Sequence, residues 1–145
     1  MPTANDILAH KGFSVHVVSP DANVLDAVER MNQLRVGAVV VMDQGQVKGM
    51  FTERDVLMRV VGQRKDPADV RVADVMTRDV ICVGPHTDME EISSIMKNKR
   101  IRHLPVCDDE GDLLGLISIG DVNAHHASNQ EMHITYLNEY IYGRV

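Results

Sequence analysis

The chain repeats itself, and this constrains its fold more than any other feature. Displaced by 65 residues, Val18-Ser19-Pro20 falls on Val83-Gly84-Pro85, Met31 on Met96, Arg35 on Arg100, Val41 on Val106 and Asp43 on Asp108. After one inserted residue the displacement becomes 66, and Gly49 falls on Gly115, Thr52 on Ser118, Asp55 on Asp121 and Val56 on Val122. Ordered matches at a near-constant offset over about 40 positions mark an internal duplication.

Each copy has the same pattern of elements. Val15 to Val18 and Val80 to Val83 are short apolar runs ending at a proline turn, the signature of a strand. A helix follows, with Val24, Val28, Met31 and Leu34 in the first copy and Met89, Ile92, Ile95 and Met96 in the second recurring at helical steps. Thr87 and Glu90 have the spacing of a capping box at the start of the second of these helices. Two strands then turn at Gly45 or Gly111: Ala38 to Met42 with Val47 to Phe51, and His103 to Cys107 with Leu113 to Ile117. A further helix begins at Thr52 or Ser118.

The unit is therefore β-α-β-β-α, and its helical crossover predicts that the first two strands run parallel. Units of about 60 residues are marginal alone, so two copies are expected to fuse apolar faces into one pseudo-symmetric α/β body. Gln63 to Thr77 is a polar connector with a short helical piece around Val72 to Met76.

With 44% hydrophobic and 25% charged residues, the composition is that of a globular protein, and no apolar run reaches the roughly 20 residues of a membrane span. A formal charge of −6 argues against a sequence-independent grip on nucleic acid. The first residues lack the basic start and apolar run of a secretory signal, so a cytoplasmic protein is expected. Cys82 and Cys107 match no zinc spacing and are read as free buried thiols, and the scattered histidines suggest no metal site.

The duplicated motif with the greatest chemical content is Gly49-Met50-Phe51-Thr52-Glu53-Arg54-Asp55, echoed by Gly115-Leu116-Ile117-Ser118-Ile119-Gly120-Asp121. A hydroxyl followed three residues later by an acid is a helix capping box. The same helix start offers free N–H groups to a phosphate, while the carboxylate can accept from the two hydroxyls of a ribose. Both readings fit. The basic run Lys97-Asn98-Lys99-Arg100-Ile101-Arg102-His103 leads into a strand beside Ser118, so Arg102 or His103 can reach an anion held there. No general base, nucleophile or metal constellation is singled out, which argues against an enzyme.

Taken together, Val24 to Met31, Val36 to Met42, Gly49 to Asp55, Ala73 to Thr77, Ile101 to Val106 and Gly115 to Asp121 make the chain resemble the small stand-alone tandem CBS-domain proteins, or Bateman modules. The resemblance runs from about Ala4 to Ile141. It implies a disc-like pair of units, 8–64 and 72–128, followed by a helical tail over 129–145. It further implies two clefts for AMP, ADP, ATP or a related adenosine compound such as NAD, in a regulator of energy or redox state without a catalytic cofactor.

Under that resemblance Asp55 and Asp121 bind ribose, and Thr52 and Ser118 bind phosphate, joined by Arg54, Arg102 and His103. Val15 and Val80 present backbone to adenine, and Gly37, Ala38, Thr77, Pro105 and Ile119 complete the implied nucleotide-binding set. Gly37 and Ala38 stand where the second copy has Arg102 and His103, so the clefts are expected to differ. The alternative is a dimerising adaptor with vestigial clefts. From Val122 to Ile141 there is no Gly or Pro, and Ala127, Ile134, Leu137 and Ile141 lie at helical steps, so a long helix is expected; Ile134, Leu137, Tyr140 and Ile141 motivate a homodimer, and a regulated enzyme or transporter is a further expected partner.

Overall fold

The computed structural model describes residues 2–127. The tail expected over 129–145, and with it the apolar positions behind the homodimer, lies outside the described residues. The chain opens with α1 (Ala4–Lys11), followed by β1 (Val17–Val18), α2 (Val24–Leu34), β2 (Ala38–Asp43), β3 (Gln46–Thr52) and α3 (Glu53–Asp55). From α3 the chain continues through a π-helical turn, Val56–Val60, and a 3-10 turn, Val61–Gln63. After α4 (Val72–Val75), the second copy contributes α5 (Met89–Lys99), β4 (His103–Cys107), β5 (Leu113–Ser118) and α6 (Ile119–Ala127).

Local chemistry repeats with the sequence. The α2 helix starts at Asn23, whose side chain accepts from Asp26 N, and α5 at Asp88, which accepts from Glu91 N. The cap of α5 is thus Asp88, one residue after the expected Thr87; the Thr87 hydroxyl instead accepts from Gly84 N and closes the preceding turn. Both helices end on an arginine with positive φ, Arg35 at 57° and Arg100 at 54°, which explains why that pair survives in the repeat. The β2–β3 turn uses Gln44 and Gly45, both at positive φ, as a two-residue hairpin of primed type demands. Register shifts fall at Val41/Met42 and Val106/Cys107, equivalent positions in the two hairpins.

As the crossover predicted, β1 pairs parallel with β2, and β2 antiparallel with β3. The matching strand over Val80 to Val83 does not form: only a parallel bridge between Val83 and Val106 remains, and β4 and β5 make a two-stranded sheet. The cause is Pro105. In the first copy Val40 N donates to His16 O at 3.1 Å, and the counterpart of Val40 is Pro105, which has no N–H to give. The first strand itself is shorter than expected, beginning at Val17 rather than Val15.

The helices that precede each copy are exchanged. The α1 helix packs on the second copy, where Leu8 lies over Gly115; α4 closes the first, where Met76 lies over Gly49. At both glycines an added Cβ would meet the closing residue, 2.7 Å from Leu8 Cδ2 at Gly115 and 2.5 Å from Thr77 O at Gly49. The matching antiparallel bridges, Thr3 to Asp88 and Asn23 to Arg71, show that the exchange is pseudo-symmetric.

One core cluster joins Ile7 and Leu8 to Ile92, Met96, Leu104, Val106, Ile117 and Val122, and another joins Val24, Ala27 and Met31 to Val39, Val41, Phe51 and Val75. The opposite face of β2 and β3, Ala38, Val40 and Met50, packs with Val80, Leu113 and Leu116 of the other copy. Covered on both faces, β2 therefore reads as the continuous apolar run Ala38 to Met42 rather than as an alternating strand. Cys82 and Cys107 are free thiols, but Cys82 is exposed and Cys107 only half-buried, against the expectation that both are buried. Burial, with the Cys82 thiol beside it, pushes Cys107 up to about 12. No helix of the described residues is long and apolar enough to cross a membrane.

Candidate functional site

The two helix starts that follow the hairpins are held against the start of each hairpin's first strand. Glu53 N donates to Gly37 O at 3.0 Å, and Ile119 N donates to Arg102 O at 2.8 Å. Each start is closed by a reciprocal cap. In the first copy Asp55 N donates to Thr52 Oγ1 and Thr52 N to Asp55 Oδ2 at 3.0 Å; in the second Asp121 N donates to Ser118 Oγ at 3.1 Å and Ser118 N to Asp121 Oδ2 at 2.8 Å. The capping reading of the motif is therefore realised in both copies.

Beyond the caps the carboxylates differ. Asp55 is the one buried charged residue among the described residues, 5% exposed, and its Oδ1 accepts from the Thr77 hydroxyl at 3.0 Å with Arg59 Nε at 3.9 Å. Asp121 is half-buried and its Oδ2 also takes Lys11 Nζ, at 2.6 Å. Burial alone would raise the Asp121 carboxyl, but the Lys11 ammonium and the Ser118 N–H and hydroxyl together hold it below its ordinary value.

Between the helix starts lies a cavity of about 820 Å³ built from both copies. Thr52, Glu53, Arg54 and Asp55 line one side, and Ser118, Ile119 and Gly120 the other. Arg102, Lys99 and Arg100 supply cationic character, His103 an imidazole, and Met50, Val80, Ile81 and Ile101 apolar wall. His103 is held below its ordinary value by burial, then by Arg102 and Lys11, against the opposing pull of Asp121 and Glu53. Such a cavity presents donors and cations to an anionic group, a carboxylate to hydroxyls and an apolar wall to a flat ring. Among the described residues no group of three or more His, Cys, Asp or Glu stands where it could hold a metal ion.

The family model of the CBS domain matches residues 5–62 and again residues 72–126. The chain belongs to the CBS-domain family. Its curated relatives include the CBS domain-containing protein YhcV of Bacillus subtilis (strain 168), 34% identical over 116 residues, spanning 80% of this chain and 81% of that one. Among solved structures, a putative signal-transduction protein with CBS domains from Burkholderia ambifaria MC40-6 superposes with a TM-score of 0.84 at 36% identity, covering 88% of this chain and 96% of that one. The CBS domain pair of protein MJ0100, in complex with 5′-methylthioadenosine and S-adenosyl-L-methionine, shares the fold with a TM-score of 0.78 at 19% identity, covering 88% and 98%. This chain is thus a CBS-pair regulatory module.

Of the residues expected in the CBS clefts, Gly37, Thr52, Arg54, Asp55, Thr77, Val80, Arg102, His103, Ser118 and Ile119 come together around the cavity. Val15, Ala38 and Pro105 do not line it: Val15 and Ala38 pack in the cluster between the copies, and Pro105 is buried within β4. Asp121 is likewise absent from the lining, turned to Lys11 instead. Sequence reasoning missed Glu53, Asp79, Lys99 and Arg100 at the cavity and Lys11 at Asp121. Lys99 and Arg100 belong to the basic run already singled out. The repeat does not find Lys11: a displacement of 68 lays Ile7 on Val75 and Leu8 on Met76 but Lys11 on Asp79, not on Thr77.

Proposed function

We propose that this CBS pair is a regulatory module that retains an adenosine compound carrying at least one phosphate, such as AMP, ADP, ATP or NAD, in the cavity between its copies. The observation that carries this reading is the convergence of Thr52, Ser118 and Asp55 with Arg54, Arg102 and His103 around one space of about 820 Å³, inside the roughly 300–1,000 Å³ range of small-molecule sites. The ligands named for the MJ0100 pair, both adenosine compounds, support the base and sugar part of the reading. The cationic wall of this chain argues for phosphate in addition. The role is retention rather than turnover, since Thr52, Ser118 and Asp55 are each engaged in a helix cap.

The test is a thermal-shift series with AMP, ADP, ATP, NAD, S-adenosylmethionine and GMP on protein freed of co-purified nucleotide. At about 100-fold excess over the dissociation constant, binding adds roughly 2.7 kcal/mol, a rise of about 5 to 10 °C. The His103 titration should move up on binding, because an anion beside the ring favours its charged form. No shift with any adenine compound overturns the reading. It would leave the second one, a protein-interaction module, which the exposure of Leu57, Met58 and Val61 at 65%, 55% and 59% favours. A cytoplasmic homodimer that transmits ligand occupancy to an enzyme or transporter completes the proposal, and light scattering at micromolar concentration tests the dimer.

A further inference from the structure

Matching positions of the two copies line the cavity with opposite charge. Glu53 N donates to Gly37 O as Ile119 N donates to Arg102 O, so in each copy the first residue of the helix lies against the residue that precedes the hairpin. In the second copy the charged member of this pair is Arg102, and its helix neighbour Ile119 is apolar; in the first the hairpin residue is Gly37 and the charge is on Glu53. The Glu53 side chain folds over that glycine: a Cβ on Gly37 would stand 2.6 Å from Glu53 Oε1 and 3.2 Å from its Cδ. A carboxylate therefore stands in the first copy where the side chain of Arg102 leaves the backbone in the second. Its charge is felt at His103, which it pulls upward against burial, Arg102 and Lys11.

Glu53 and Asp79 line the cavity yet make no side-chain hydrogen bond or ion pair among the described residues, so no contact in the fold accounts for their charges. With Asp55 they set three carboxylates against four cations, Arg54, Lys99, Arg100 and Arg102. That surplus suits one terminal phosphate, which carries about −1.5 to −2 at pH 7. Each further phosphoryl group adds negative charge that the wall does not match and that Glu53 repels. We propose that Glu53 is a specificity residue: it confines the anionic end of the ligand to the Arg102 side of the cavity and makes the module prefer an adenine nucleotide with a single phosphate over the di- and triphosphate. The inference rests on the adenine-nucleotide reading and narrows its ligand. Glu53 is exposed, so its repulsion is screened and grades affinity with ligand charge rather than blocking entry.

Calorimetry with adenosine, AMP, ADP and magnesium-free ATP on the full chain tests this in the unmodified protein, Glu53→Gln and Glu110→Gln, the last an exposed carboxylate on the β4–β5 turn that does not line the cavity. The unmodified protein should bind AMP more tightly than ADP, and ADP more tightly than ATP. An exposed charge contact of up to about 1 kcal/mol corresponds to a roughly five-fold change in affinity. Glu53→Gln should therefore tighten ATP by up to that factor, AMP by less and adenosine not at all, and added salt should shrink the gain. ATP held as tightly as AMP by the unmodified protein, or a gain in Glu53→Gln that is equal for adenosine and ATP or is matched by Glu110→Gln, overturns the inference and leaves the nucleotide reading standing. No binding of any of the four compounds to any of the three proteins overturns both. A ligand-free readout comes from NMR titration of His103, which Arg102, Lys11, Asp121 and Glu53 surround. It should fall further in Glu53→Gln, and an unchanged value means that the Glu53 charge does not act inside the cavity, which also overturns the inference.

Discussion

The first copy of the repeat is finished by backbone and the second by side chains. In the first, β1 adds a third strand, and Thr77 exchanges two backbone hydrogen bonds with Met50. In the second, Pro105 stops the third strand, and a lysine reaches in from α1 where Thr77 would lie. What the two share is set by backbone geometry: the positive-φ arginines ending α2 and α5, the hairpin irregularities and the reciprocal caps at Thr52 and Ser118. What differs is side-chain chemistry, Gly37 against Arg102 at the cavity and Thr77 against Lys11 beside the capping carboxylates. Duplication thus preserves the positions that hold the chain's path and leaves the wall of a shared cavity free to diverge.

The exchange of closing helices is the feature most open to a direct challenge. Leu8 is fully buried and, with Ala4 and Ile7, joins α1 to the second copy, against Gly115 and in the cluster of Leu104 and Ile117. Truncation of such a leucine costs about 3 kcal/mol. Leu8→Ala should therefore lower the melting temperature by roughly 10 °C for a chain of this size. Hydrogen exchange should accelerate in β5 and α6 more than in β2 and β3. Uniform acceleration would mean that α1 does not close the second copy specifically.

The paired glycines sharpen the comparison. At Gly49 an added methyl would stand 2.5 Å from the Thr77 carbonyl oxygen, so the backbone pair between Thr77 and Met50 must move. At Gly115 the nearest atom is Leu8 Cδ2, at 2.7 Å, the end of a side chain that can turn. Overpacking costs about 1–3 kcal/mol, and the rigid obstacle puts Gly49→Ala near the top of that range and Gly115→Ala near the bottom. Denaturant titrations of the two variants check this, and equal losses would mean that both copies are closed with the same rigidity.

The sequence carried the architecture because duplication doubles every signal. A lone run such as Ala38 to Met42 is ambiguous, whereas the same run twice, each between a helical stripe and a Gly turn, is a strand twice over. The motif from Gly49 to Asp55 likewise placed Thr52 and Asp55 at a helix start without help from the structure. Reasoning by repeat failed where the copies are unlike. Val80 to Val83 was expected as a strand because its counterpart is one, although the obstacle, Pro105, lies on the partner segment rather than in the run. The α1 helix escaped notice because it outlasts α4 by a full turn, which changes the offset and hides the match. Asp121 was expected at the cavity because Asp55 suits it, and no local pattern announces a lysine 110 residues away in sequence.

Pro105 offers the finest discrimination between the copies, with an effect too small to appear as a melting shift. Replacing it by the valine found at its counterpart, Val40, restores an N–H facing Ile81 O, the position of the bond from Val40 N to His16 O. A hydrogen bond of this kind contributes about 1 kcal/mol. Losing a proline from a compatible site relaxes the unfolded chain and removes roughly 0.4–1 kcal/mol. The two nearly cancel, so Pro105→Val should leave stability almost unchanged while extending the pairing now confined to Val83 and Val106. The measurement is amide exchange: the new amide of residue 105 should be protected to the degree of Val40, and that of Val83 should slow. A freely exchanging amide at residue 105 would show that the missing strand has another cause, such as the path of the chain between Thr77 and Val80, and that the copies differ in backbone as well as in side chains.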